Sequence, residues 1–255
     1  MMTFISKSWR SLLALLLLFI AWETMVKVFE VPQWLLPSPV KIFQEAAIHW
    51  SEFSIHLLST LRLSLSGFAV GTAIGLLTAI LLYLIPILKD TLYPLLILSQ
   101  NIPTIVLAPL LVIWFGFGVL PKLIVITLVC FFPVTVAAID GFRQTPIELK
   151  HYLAMAGANK SQLFWKLEFP SALPAIFSGL KISATYSVMG AVISEWLGAK
   201  EGIGVYMTLA SSSFRTDRVF VAIFAIMILS LLFFVCIIVI ERIVIRWKMK
   251  GEDSK

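Results

Sequence analysis

The 255-residue chain is 60% hydrophobic and only 13% charged, with a mean hydropathy of +0.97. That is far more apolar than a soluble domain of this length requires, which excludes an ordinary water-soluble fold and makes lipid the solvent. The net charge of +6 does not point to nucleic acid, because the basic residues are scattered over loops and ends without a stripe of interleaved aromatics.

Apolar stretches run over residues 12–29, 61–84, 95–114, 123–139, 175–197 and 219–240. Each approaches the ~20 residues that cross the hydrocarbon core, which predicts about six transmembrane segments in an all-α polytopic membrane protein. Helices are implied over barrel strands because the runs are continuous rather than alternating, and lipid offers no partner to unpaired backbone groups. Lys7 and Arg10 ahead of the first run resemble the start of a signal peptide. No small-x-small cleavage site follows and the apolar run continues past Trp22, so this stretch is expected to remain as a membrane helix.

In the second run Gly67, Gly71 and Gly75 recur at every fourth position, placing all three on one face where a neighbouring backbone can approach closely. The third run carries Gln100, Asn101 and Pro103, followed by Pro109. Polar side chains and helix breaks at membrane depth are tolerated only where protein or a water-filled cavity surrounds them. Gln100, Asn101 and Pro103 are therefore translocation-pathway candidates, with a proline kink packed inside a bundle as the alternative. Cys130 and Cys236 lie within apolar runs, where they act as small hydrophobes and support neither a disulfide nor a metal site.

Residues 140–174 form the one long loop on the side assigned to the cytoplasm. Thr145, Pro146 and Glu148 predict a helix start closed by a capping box. Gly157 predicts its stop, and Asn159 with Gln162 predicts a second cap. Pro170 and Pro174 are expected to end the second helix. Leu149, Leu153 and Ala156 share a face of the first helix, and Leu163, Phe164 and Leu167 one of the second, with Lys150, Lys160 and Lys166 around them. Such a helix-glycine-helix unit either lies on anionic lipid or docks a protein partner. In the fifth run Glu195, preceded by Ser183 and Tyr186, is an ionisable group in a membrane segment and so a pathway candidate. Its alternative is an interfacial carboxylate satisfied by nearby polar groups, and Glu23 in the first run has the same ambiguity.

With both termini placed in the cytoplasm, thirteen of the 20 Lys and Arg residues fall on that side, as the positive-inside rule requires. No phosphate-binding G-x-x-x-x-G-K-[ST] sequence occurs, and His49, His56 and His151 are isolated, so neither nucleotide hydrolysis nor a metal site is expected in this chain.

The segments Leu153-Ala154-Met155-Ala156-Gly157-Ala158, Phe169-Pro170-Ser171-Ala172-Leu173-Pro174 and Ser178-Gly179-Leu180-Lys181 resemble the signature loop of binding-protein-dependent ABC importer permeases. Gly157, Leu173 and Pro174 stand at the family's spacing, whereas its Glu-Ala-Ala is replaced by His151, Tyr152 and Leu153. Thr60-Leu61-Arg62, Ala108-Pro109-Leu110, Trp114-Phe115-Gly116-Phe117-Gly118 and Glu195-Trp196-Leu197-Gly198-Ala199 are similar to the nitrate, sulfonate and taurine branch. Residues 194–207 and Phe214-Arg215-Thr216-Asp217-Arg218 resemble permeases for pyrimidine precursors of thiamine.

The resemblance implies a single type I importer transmembrane domain over residues 1–255 in the inner membrane, with a cytoplasmic coupling loop at 143–172. Glu148, His151, Tyr152, Leu153, Ala156, Gly157 and Ala158 would meet a separate ATPase subunit that binds ATP and Mg. A second copy of the chain and an extracytoplasmic solute-binding protein would complete an alternating-access importer. An ion-coupled secondary transporter would show inverted repeats, and the two halves share none that are visible. A membrane scaffold that recruits partners through the loop would not need the polar, kinked third run.

Overall fold

The computed structural model describes residues 2–245, and the side chains of residues 9–245. Arg246, Lys248, Lys250 and Lys255, which contribute to the charge asymmetry, lie outside the described residues, as does the side chain of Lys7. Among the described residues every regular element is helical. The order is α1 (Met2–Val28), α2 (Pro39–Ile48), α3 (Trp50–Leu84), α4 (Pro86–Ser99), α5 (Thr104–Phe115), α6 (Val119–Arg143), α7 (Ile147–Met155), α8 (Lys160–Leu163), α9 (Phe169–Glu195), α10 (Ile203–Ser212) and α11 (Thr216–Val244). Five helices, those containing α1, α3, α6, α9 and α11, are long and apolar enough to cross a membrane, and α4 with α5 makes a sixth crossing if the pair is taken as one.

That pair is the third run of 95–114, interrupted at Pro103 as expected but beginning earlier, at Pro86, and continuing as helix through Pro109. It bends by 98° between Ser99 and Thr104. The cause is local. Pro103 caps α5 at φ −60° and ψ 119°, lacks an N–H for the ladder and disfavours helical backbone at Ile102.

The fifth crossing starts earlier than predicted. The second helix of the loop is not a separate unit, because α8, a π-helical turn over Phe164–Glu168 and α9 run on from Lys160 to Glu195. Pro170 and Pro174 do not end it. Pro170 falls in the first turn of α9, directly after the wide π turn, where the ring meets less crowding from the preceding carbonyls.

The core is a three-helix contact of α3, α6 and α9. Gly67, Gly71 and Gly75 are buried against α6, and a Cβ on Gly71 would lie 2.7 Å from the Cβ of Cys130 and 2.8 Å from the carbonyl oxygen of Thr127. Only a residue without a side chain permits that approach, which brings backbone dipoles and Cα–H groups into contact across the seam. Polar side chains then knit the seam. Thr135 Oγ1 donates to the carbonyls of Phe131 at 2.8 Å and Gly75 at 3.1 Å, and Ser183 Oγ donates to the Cys130 carbonyl at 2.8 Å. By contrast α1 remains at the rim. Leu12, Leu16 and Leu18 are exposed, and contact with α11 is made through Phe19 and Trp22, whose rings approach Phe224 and Phe220 at 6.0 and 5.3 Å.

Candidate functional site

The helix α7 has no buried residue, and Ile147, Tyr152 and Met155 are 56%, 67% and 82% exposed. Its N-terminus differs from the expected capping box. Pro146 takes the cap position, Glu148 is exposed, and Thr145 is turned inward with its hydroxyl unpartnered, so it cannot serve the first turn. Its C-terminus is a Schellman turn, with the Ala158 N–H donating to Leu153 O and the Gly157 N–H to Ala154 O, both at 3.0 Å. Gly157 has φ +84°, and a Cβ there would touch nothing within 4 Å. Asn159 Oδ1 accepts from the Gln162 N–H at 2.8 Å while Gln162 Oε1 accepts from the Asn159 N–H at 2.9 Å, the reciprocal cap read from the sequence.

Of the residues expected on this element, Glu148, His151, Tyr152, Ala156 and Gly157 are exposed, with Leu153 and Ala158 half-buried. The chain itself thus leaves the apolar side chains of Ile147, Tyr152 and Met155 uncovered. Lys150 is not part of that surface. Its ammonium lies 2.7 Å from Glu168 Oε1 and 3.1 Å from Tyr83 Oη, and the Tyr83 hydroxyl donates to the same carboxylate oxygen at 2.9 Å. Burial alone would lower the Lys150 ammonium, but the hydrogen bonds to Glu168 and Tyr83 outweigh it and hold the group above its ordinary 10.5. Sequence reading placed Lys150 among the solvated charges and passed over Tyr83 and Glu168. The available signal was Glu168 itself, a carboxylate in the apolar run Phe164-Trp165-Lys166-Leu167-Glu168-Phe169.

At the opposite end of the bundle Glu195 is 1% exposed. Its Oε1 accepts from Thr60 Oγ1 at 2.7 Å and its Oε2 from the Gly204 N–H at 2.8 Å, while Thr60 Oγ1 accepts from the Ile203 N–H at 2.8 Å. A Cβ on Gly202 would overlap the carboxylate. Glu195 is thus consumed in joining α3, α9 and the start of α10, and Ser183 in joining α9 to α6. Each of these side-chain oxygens has its partner inside the fold. Tyr186 is 44% exposed, and Gln100, Asn101 and Pro103 are exposed at the α4–α5 break, where the Asn101 amide donates to Ile97 O at 2.9 Å. Glu23 accepts from the Val40 N–H at 3.1 Å and pairs with Lys27 at 3.0 Å, so it fastens α1 to the start of α2.

Two open cavities accompany these elements. One of about 450 Å³ under the α4–α5 break is apolar, with Leu82, Leu96, Ile102, Phe131 and Phe132 in its wall. The other, about 480 Å³, lies between α3 and α6 towards the α10 end and is lined by Ser59, Arg62, Ser66, Lys122 and Glu201. Neither Arg62 nor Lys122 forms an ion pair within 4 Å among the described residues.

A multi-pass helical bundle that exposes one short, glycine-ended helix between two crossings is an arrangement that fits the permease subunit of an ABC importer. The chain belongs to the family of binding-protein-dependent transport system inner membrane components, whose model matches residues 71–249. It is 37% identical over 236 residues, 92% of this chain and 94% of the other, to the formylaminopyrimidine transport permease protein ThiX of Halalkalibacterium halodurans. It is 32% identical to the riboflavin transport system permease protein RibX of Chloroflexus aurantiacus (92% and 88% covered). It is 29% identical to the putative aliphatic sulfonates transport permease protein SsuC of Bacillus subtilis (91% and 84% covered). The fold matches a chain of the MetNI methionine ABC transporter in an inward-facing form, with a TM-score of 0.65, 20% identity, and 74% of this chain and 94% of that chain covered. The chain is accordingly a multi-pass inner-membrane permease whose transporter includes an ATPase.

Proposed function

We propose that two copies of this chain form the membrane path of an importer, that two ATPase subunits grip α7 from the cytoplasm, and that an extracytoplasmic solute-binding protein delivers the cargo at the α10 end. Both termini then lie in the cytoplasm. ATP and Mg are bound by the partner, and this chain does no hydrolysis of its own. Closure of the ATPase pair moves α7 and opens the bundle outward, and release resets it, which is alternating access. The observation that carries this reading is the exposure of Ile147, Tyr152 and Met155 on a helix that its own chain leaves uncovered.

The solute in this proposal is a small polar heterocycle of the formylaminopyrimidine class, supported by the likeness to a permease of that description over 92% of the chain. A second reading, a sulfonate such as zwitterionic taurine, is favoured by Arg62 and Lys122 together with Glu201 in the wall of one cavity. Thermal stabilisation of the cognate binding protein separates them, because a ligand at a hundred times its Kd adds about 2.7 kcal/mol to the folded state. A shift with formylaminopyrimidine and none with taurine supports the first, and the reverse replaces it with the second. The purified chain alone is expected to show no ATP hydrolysis, and hydrolysis by a preparation free of other ATPases would contradict the division of labour.

A further inference from the structure

We propose that Lys150, Glu168 and Tyr83 form the joint through which α7 moves the membrane helices, and that α3 and α9 respond as one clamped pair. This rests on the reading of α7 as the element the ATPase grips. Apart from this joint, α7 has little to push with: none of its residues is buried, so no apolar interlock ties it to the bundle. Lys150 is the exception, reaching back to a carboxylate at the foot of α9 and a hydroxyl at the foot of α3. The three groups close a ring of contacts of 2.7, 2.9 and 3.1 Å, with the Lys150 and Glu168 side chains only 18% and 9% exposed. At that burial a charge-assisted contact is far less screened than a surface pair.

The same two helices are joined again at their other ends. There the hydroxyl of Thr60 on α3 donates to the carboxylate of Glu195 on α9 at 2.7 Å. The clamps are separated by 23 residues of α3 and 27 of α9, about 35 to 40 Å of helix at 1.5 Å per residue, enough to cross the bilayer. A force delivered at Lys150 is therefore applied to two helices that cannot easily slide past each other. The N–H groups of Ile203 and Gly204 attach the start of α10 to the far clamp, so the motion reaches the α10 end. The wide π turn over Phe164–Glu168 sets the rotation at which Glu168 faces Lys150 rather than lipid.

The test uses vesicles containing the permease with its ATPase partner and a Ser66→Cys substitution, which puts an exposed thiol in the wall of the cavity at the α10 end. The readout is its rate of labelling by a membrane-impermeant maleimide with and without ATP and vanadate, alongside ATP hydrolysis. With Lys150 intact, ATP changes the labelling rate. Lys150→Met is expected to reduce that change about tenfold at retained hydrolysis, within the usual range of coupling free energies, and Lys150→Arg to keep most of it. A full response in Lys150→Met overturns the joint. An absent response with Lys150 intact instead removes the reading of α7 on which it rests. Should Lys150→Met fail to assemble, Tyr83→Phe decides, since it deletes one hydroxyl and leaves the ion pair: an undiminished response overturns the proposal.

Discussion

At the scale of single residues, several buried polar side chains make contacts between helices. Glu195 shows the consequence. Replacing it with Ala would leave Thr60 and the Gly204 N–H short of a buried acceptor, a cost of about 1–3 kcal/mol for each unsatisfied group. Glu195→Ala is expected to lower the melting temperature in detergent by several degrees, and unchanged melting would contradict the assignment. Gly71 makes a steric counterpart. A valine there must displace the Cys130 side chain and the Thr127 carbonyl, and overpacking of this kind costs about 1–3 kcal/mol or more.

Lys150 also bears on pH. Its ammonium is held above 10.5, so the pair with Glu168 is fully formed below the unfolded value and is lost only as pH rises through the folded one. No Lys150-dependent change in coupling is expected between pH 7 and pH 9. A loss of coupling in that window that disappears in Lys150→Arg would show the sign to be wrong.

At the scale of elements, the crossings were legible because lipid imposes long apolar runs, and the glycine face of α3 because a period of four can only mean one side of a helix. The stop at Gly157 and the Asn159–Gln162 cap were legible for the same kind of reason, a local hydrogen-bond demand met by local residues. What escaped was set by distant contacts. Thr145 turns inward instead of capping, and no local pattern announces that. Nor does any announce that Lys150 meets residues 18 and 67 positions away, or that a π turn carries the chain through Pro170. The α4–α5 break was visible as a proline with polar neighbours, but its 98° angle was not.

Gly157 sets the direction in which the chain leaves α7. A Cβ there meets open space, so the cost of Gly157→Val is purely that of a β-branched residue at φ +84°, and it is relieved by re-aiming α7. ATP hydrolysis is expected to persist in that variant while uptake per ATP falls several-fold. Retained stoichiometry in reconstituted vesicles would show that the direction of α7 is immaterial.

At the scale of the whole molecule, the uncovered helix α7 lies at one end, the α3–α6–α9 seam runs through the middle and the hydrogen bonds around Glu195 lie at the other end. Inner packing around Phe142, Phe164 and Phe169, with ring centroids 5.4 to 6.3 Å apart, seats the foot of α9 against α6. The far end is tied by Arg215 and Arg218 to Glu45 at 2.8 and 2.9 Å, which fixes α2 to the start of α11. Between them the α3–α6 seam is drawn together at Gly67, Gly71 and Gly75.

The central claim, that α7 is held by a separate ATPase in the cytoplasm, is tested most directly by crosslinking. A thiol-reactive crosslinker in membranes carrying Met155→Cys, a position 82% exposed, is expected to join the permease to the ATPase subunit, with the yield changing on addition of ATP. Labelling of that cysteine by an impermeant reagent applied only from outside the cell, with no ATPase adduct, would contradict it.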